Sequence, residues 1–87
     1  MSDIIVIVGS VTSATRLAKR INSQSVESAR VISTPADLRV HSGCSYSVRT
    51  SLKNENIVRN NIGGLNIKGI YIEKRDGNER SYYDISR

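Results

Sequence analysis

Cysteine, histidine and proline each occur once in this 87-residue chain, and all three fall within Ser33 to Arg49, STPADLRVHSGCSYSVR. Cys44 is the candidate reactive group. It follows Ser42-Gly43 at the end of a stretch that reads as a loop, with Arg39, His41 and Arg49 near it in sequence. The thiolate is the nucleophilic form of cysteine, and nearby cations or a helix N-terminus favour it. A second reading stands beside this one: a lone cysteine in a small domain is often an inert, buried hydrophobe. His41 is open in the same way, either a group that titrates near neutrality beside the thiol or a solvated loop residue.

Other chemistries lack their residues. One cysteine closes no internal disulfide, and neither a C-x-x-C pair nor a Cys/His cluster with zinc spacing is present, so no metal site is expected. Paired carboxylates, a Ser/His/Asp set and a glycine-rich phosphate loop are missing too. A phosphate-handling hydrolase therefore ranks last, and no cofactor is expected.

The elements that must position Cys44 can be read in order. Ile4 to Val8 is β-branched throughout and stops at Gly9, which predicts a strand covered on both faces and central in its sheet. Ser10, Thr12 and Ser13 offer helix caps ahead of Ala14, Leu17, Ala18 and Ile21, whose spacing makes one apolar stripe on a helix from about Val11 to Asn22. Val26 to Thr34 reads as a second strand ending at Pro35, and Pro35-Ala36-Asp37 as a turn opening a loop to Gly43. Alternation from Tyr46 to Thr50 predicts a third strand. Leu52 to Leu65 approaches helical spacing and closes at Gly63-Gly64, and a fourth strand follows from Asn66 to Lys74.

The last segment poses a register choice. A turn at Asp76-Gly77 sets Lys74 against Glu79, Glu73 against Arg80 and Tyr71 against Tyr82, all favourable pairs. A turn at Gly77-Asn78 would oppose Asp76 to Glu79 and Arg75 to Arg80. The charges favour the first. The chain then reads as a single α+β domain over residues 1–87, a ferredoxin-like βαββαβ sandwich with an additional C-terminal strand. In that arrangement a right-handed crossover makes the first two strands parallel, so the loop before the third strand returns to the start of the first helix. Gly43 and Cys44 should therefore approach Gly9, Ser10, Val11 and Thr12, where a helix N-terminus suits an anion such as a thiolate, persulfide or selenide.

Two stretches, IVIVGSVTSATRLAKRI and VISTPADLRVHSGCSYSVR, resemble the paired signatures of a small family of selenium/sulfur carrier-like proteins. The family's Ser/Thr-bearing turn and helix would here be Ser10 and Thr12. Its proline, basic residue and Gly-Cys pair would be Pro35, Arg39 and Gly43-Cys44. The family has Gly-Cys-Gly where this chain has Gly43-Cys44-Ser45. The resemblance implies a carrier: Cys44 takes a sulfur or selenium atom from a donor protein as a persulfide-type adduct and passes it to an acceptor protein. Gly9, Ser10, Thr12, Arg39 and Gly43 would form the binding set around it. Such a protein is closer to a carrier than to an enzyme.

The alternative is a small adaptor or nucleic-acid-binding domain that uses its open sheet face, with Cys44 structural. A net charge of +5 invites nucleic acid, yet the basic residues are scattered among Asp and Glu. The first strand carries no aromatic residue for stacking bases, so specific RNA recognition is not expected. Apolar residues on both faces of the strands, Ile70 and Ile72 among them, instead suggest a homodimer through the sheet. The five-residue run Ile4 to Val8 lacks the basic flank and length of a secretory signal, and nothing nears the roughly 18 apolar residues of a membrane span. A reducing cytoplasm and no membrane are the expectation.

Overall fold

The computed structural model describes residues 2–62 and 64–86, with His41 described by its backbone alone. Five β-branched residues in a row need cover on both sides, and they receive it: Ile4, Ile5, Val6, Ile7 and Val8 are each at most 1% exposed. They lie in β1 (Asp3–Val8), the middle strand of a five-stranded sheet. The other strands are β2 (Ala29–Ser33), β3 (Tyr46–Ser51), β4 (Ile67–Asp76) and β5 (Glu79–Asp84), in the order β2-β3-β1-β4-β5 with every neighbouring pair antiparallel. Three helices connect them: α1 (Val11–Gln24), α2 (Ala36–Ser42) and α3 (Glu55–Arg59), the last preceded by a 3₁₀ turn at Leu52–Asn54. The protein is an α+β fold.

Alternate residues of β1 serve two cores. Ile4, Val6 and Val8 pack under the stripe of α1, where Ala14, Leu17, Ala18 and Ile21 are all buried, and with Val58 of α3, Val48 and Ile70. Each fully buried aliphatic side chain contributes about 1.5–3 kcal/mol, so this layer carries most of the stability. Ile5 and Ile7 face the other way and meet Leu38 of α2, with Ile32, Cys44, Tyr71 and Tyr82 at the margin.

Four expectations need correction. The stretch from Pro35 to Gly43 is a helix, not a loop: Pro35 stands at the N-cap position, its carbonyl accepts from the Leu38 and Arg39 amides at 3.0 and 2.9 Å, and Gly43 closes the C-terminus at φ +70°. A proline that fixes φ is well suited to the first turn of a helix. The sandwich therefore has one more helix than a βαββαβ-plus-strand pattern allows. Second, α3 stops at Arg59 and irregular turns follow, so the helix does not reach the expected Gly63-Gly64 end, of which Gly63 lies outside the described residues.

Third, the final hairpin turns at Gly77-Asn78. The register pairs Asp76 with Glu79, Arg75 with Arg80 and Glu73 with Tyr82. Gly77 has φ +64° and Asn78 does not have positive φ, the requirement of a type II′ turn with glycine first. Backbone geometry outweighs the like-charge pairs, which sit at an exposed hairpin end where such pairs cost only about 0.2–1 kcal/mol. Fourth, the open apolar sheet face invoked for a homodimer is not found among the described residues, because α2 covers Ile5 and Ile7, Ile32, Tyr71 and Tyr82 are partly buried beside them, and charged side chains line the Asp3 end of that side.

Candidate functional site

The turn after β1 and the turn before β3 meet at one end of the sheet. Val8, Gly9, Ser10 and Val11 line one wall of a cleft of about 300 Å³, and Gly43, Cys44, Ser45 and Tyr46 line the other. The antiparallel pairing of β1 with β3 produces this meeting, since Ile7 stands opposite Ser47 and the chain leaves β1 where it enters β3. Cys44 is a free thiol, partly exposed. Its amide donates to Ser42 Oγ at 3.1 Å, and its Sγ makes a weak 3.7 Å contact as donor to the Ser42 carbonyl. The loop after α2 thus holds the backbone of Cys44 and leaves the sulfur lightly engaged.

Across the cleft, Ser10 caps α1. Its Oγ accepts from the Ser13 amide at 3.1 Å and donates to Ser13 Oγ at 3.2 Å, so the hydroxyl is turned toward its own helix. Gly9 donates its amide to the Asn66 carbonyl at 3.1 Å, and the space beside its Cα is taken by the Asn66 side-chain amide. The close approach that Gly9 allows is therefore to Asn66. Of the six residues named from sequence, Gly9, Ser10, Gly43 and Cys44 share the cleft, while Thr12 and Arg39 are not among its lining residues. Arg39 projects from α2 and donates to the Thr34 carbonyl at 3.4 Å. The His41 side chain lies outside the description. Val11 and Tyr46, large apolar side chains left 48% and 43% exposed, flank the thiol; Val11 was expected near it from the topology, whereas Tyr46 was not placed at the site by sequence reading. Tyr46 falls at the start of its strand, where exposure cannot be read from alternation.

Residues 3–72 match the family model described as "Putative Se/S carrier protein-like". The chain belongs to that family. No curated protein and no solved structure matches it. The matched stretch holds the whole cysteine cleft of this Se/S carrier-like protein and ends inside β4.

A second polar constellation occupies the opposite end of the α2 side of the sheet. Arg49 of β3 donates from both terminal nitrogens to the two oxygens of Glu73 at 2.8 Å each and to Asp3 at 3.1 Å. The Arg49 and Glu73 side chains are 16% and 5% exposed, so a buried carboxylate meets a partly buried guanidinium, with a half-exposed third member. Tyr82 donates to Glu73 at 3.3 Å, and Arg75 and Arg80 approach the same carboxylate at 4.0 Å. The hydrogen bonds from Arg49 hold the Glu73 carboxyl below the usual glutamate range against the opposing effect of burial. The same bonds raise Arg49, while burial first and then the charge of Glu73 push the Tyr82 phenol up. Among the described residues no cluster of His, Cys, Asp and Glu is suited to hold a metal ion, and no helix is long and apolar enough to cross a membrane.

Proposed function

We propose that this protein carries a sulfane sulfur or selenium atom on Cys44 and delivers it to a partner protein. The observation that supports the reading best is the free, partly exposed thiol opening into a cleft at the start of α1, in a chain of the Se/S carrier-like family. The Cys44 thiolate attacks the outer sulfur of a donor persulfide. The donor's S–S bond breaks, a new S–S bond forms at Cys44, and the donor leaves as a thiolate that takes up the displaced proton. The transferred atom keeps its oxidation level, so neither oxidant nor cofactor is consumed. An acceptor thiolate repeats the step in the outward direction.

In the first turn of α1 the Ser13 amide is taken by Ser10, and the Val11 and Thr12 amides, which lie beyond the reach of intrahelical carbonyls, favour an anionic adduct together with the positive end of the helix dipole. Gly9, Ser10 and Gly43 shape the cleft, and Val11 and Tyr46 offer apolar rim to a docking protein. A reducing cytoplasm keeps the thiol available. We read the sheet order β2-β3-β1-β4 as ferredoxin-like, one domain with α2 inserted between β2 and β3 and β5 added at the edge.

The packing of Cys44 beside Ile5, Ile7 and Leu38 favours a second reading, an adaptor in which the thiol only fills the edge of a core. Mass spectrometry separates the two. Protein purified without reductant, or incubated with glutathione persulfide, should gain the mass of one sulfur on Cys44 and none in Cys44→Ser. A wild-type protein that takes up no sulfur and is not alkylated by iodoacetamide in its folded state would leave the adaptor.

A further inference from the structure

We propose that the arginine-lined cleft at the Asp3 end of the sheet docks an acidic segment of a protein partner. It encloses about 740 Å³, and Arg30, Arg49, Arg75, Arg80 and Lys74 line it against only two carboxylates, Asp3 and Glu73. The register puts its arginines on one face. Arg30 stands across from Arg49, Arg49 across from Ile5, and Ile5 across from Tyr71, and Arg75 lies four residues along the same face of β4, opposite Arg80. Arg49 is committed to Glu73 and Asp3, which satisfies the floor of the cleft. The rim is not satisfied. Arg75 and Arg80 only approach Glu73 at 4.0 Å, with side chains 62% and 50% exposed, and Arg30 is exposed with no ion pair among the described residues.

Each of these guanidiniums has donors to spare, in the planar fork that matches a carboxylate two bonds at a time. A patch with this excess of positive charge attracts and orients an acidic partner. From β2 to β5 the sheet spans four strand spacings, roughly 19 Å. An extended peptide of about six residues covers that width. Two features favour spaced carboxylates over a nucleic-acid backbone. Asp3 and Glu73 interrupt the positive field, which repels a continuous run of phosphates, and the lining holds no aromatic ring on which a base could stack. Neither argument uses the cysteine, so the proposal stands apart from the carrier reading. Glu73, Arg75 and Arg80 also lie beyond the stretch that matches the family model.

Fluorescence anisotropy of a labelled hexaglutamate peptide, titrated with the folded protein at low ionic strength, tests this. The expected result is saturable binding that weakens roughly tenfold or more in Arg75→Glu/Arg80→Glu and measurably in Arg30→Glu. All three side chains are exposed, and circular dichroism checks that the variants stay folded. Binding should be unchanged in Cys44→Ser and in Arg16→Glu/Lys19→Glu, which reverses charge on the far side of the sheet. Equal loss in the α1 variant would mean undirected attraction and overturn the proposal. So would loss in Cys44→Ser, absence of binding, or tighter binding of a labelled hexathymidylate, the last pointing to nucleic acid instead.

Discussion

At the Val8 end of β1 the sulfur of Cys44 makes one weak hydrogen bond, 3.7 Å to the Ser42 carbonyl at the end of α2, whereas at the Asp3 end the Glu73 carboxylate takes two 2.8 Å bonds from Arg49. Both ends lie on the α2 side of one sheet, about five residues apart along a strand that is buried from Ile4 to Val8. One end holds its charged group from three strands and the tip of a tyrosine. The other exposes a group on a short loop after a seven-residue helix. The contrast separates what keeps the fold from what can react. Loops on a rigid scaffold carry function because their groups are not consumed by the fold, and an ion pair so fully engaged has nothing left to give a ligand.

The sharpest test of that division changes one side chain at each end. Cys44→Ser should lose sulfur uptake and alkylation entirely, while its unfolding free energy in urea falls by no more than about 1 kcal/mol, because the side chain is only partly buried at the margin of the core under α2. A large loss of stability would show that the thiol belongs to the core and would dissolve the contrast. At the other end, Arg49→Met leaves the Glu73 carboxylate buried without its main partner. Removing one member of a buried pair costs about 3–5 kcal/mol, measured by urea unfolding, while sulfur uptake by the folded fraction should be unchanged.

Acid sharpens the second result. The Glu73 carboxyl lies below its ordinary range in the folded protein, chiefly through hydrogen bonds from Arg49. Its contribution to stability is therefore full above the unfolded glutamate value of about 4.3 and is lost as pH falls through the lower folded value. Arg49→Met lacks that contribution, so its stability deficit should shrink as unfolding is measured from neutrality down through that window. A deficit constant with pH would mean that Arg49 matters for packing alone. A smaller loss than that of Arg49→Met belongs to Gly43→Ala, which puts a side chain at φ +70° with open space around it and should cost about 1–2 kcal/mol in urea unfolding through backbone strain alone.

The layer that faces α1 was legible because its signals are long: five β-branched residues, then an apolar stripe over two turns of helix, both where expected. The α2 segment was not. In ADLRVHS, among the described side chains, only Leu38 is buried and Val40 is exposed, so two turns of helix with a single buried position leave no period to detect, and Pro35 reads equally as turn or helix start. The hairpin register went astray because charge pairing was weighed at a site where solvent weakens it and the φ of Gly77 decides. At the cysteine cleft, topology brought Gly43 and Cys44 to Gly9 and Ser10, but it could not say that Ser10 would spend its hydroxyl on Ser13 or that Arg39 would reach back to Thr34. The Arg49 cluster left a fainter trace. Asp3, Arg49 and Glu73 are charges placed inside three separate strands, and interior strand charges call for partners.

The central position of β1 also bears on how the chain is made. Its two neighbours, β3 and β4, begin at Tyr46 and Ile67, so Ile4 meets Ile72 across 68 residues of intervening synthesis. At typical elongation rates of about 5–20 residues per second, the most apolar stretch of the chain waits for several seconds before its second flank exists. Pairings this distant in sequence form slowly, and an uncovered β-branched strand is prone to aggregate while it waits. Folding yield, more than the final stability of the sheet, should therefore respond to temperature and expression rate.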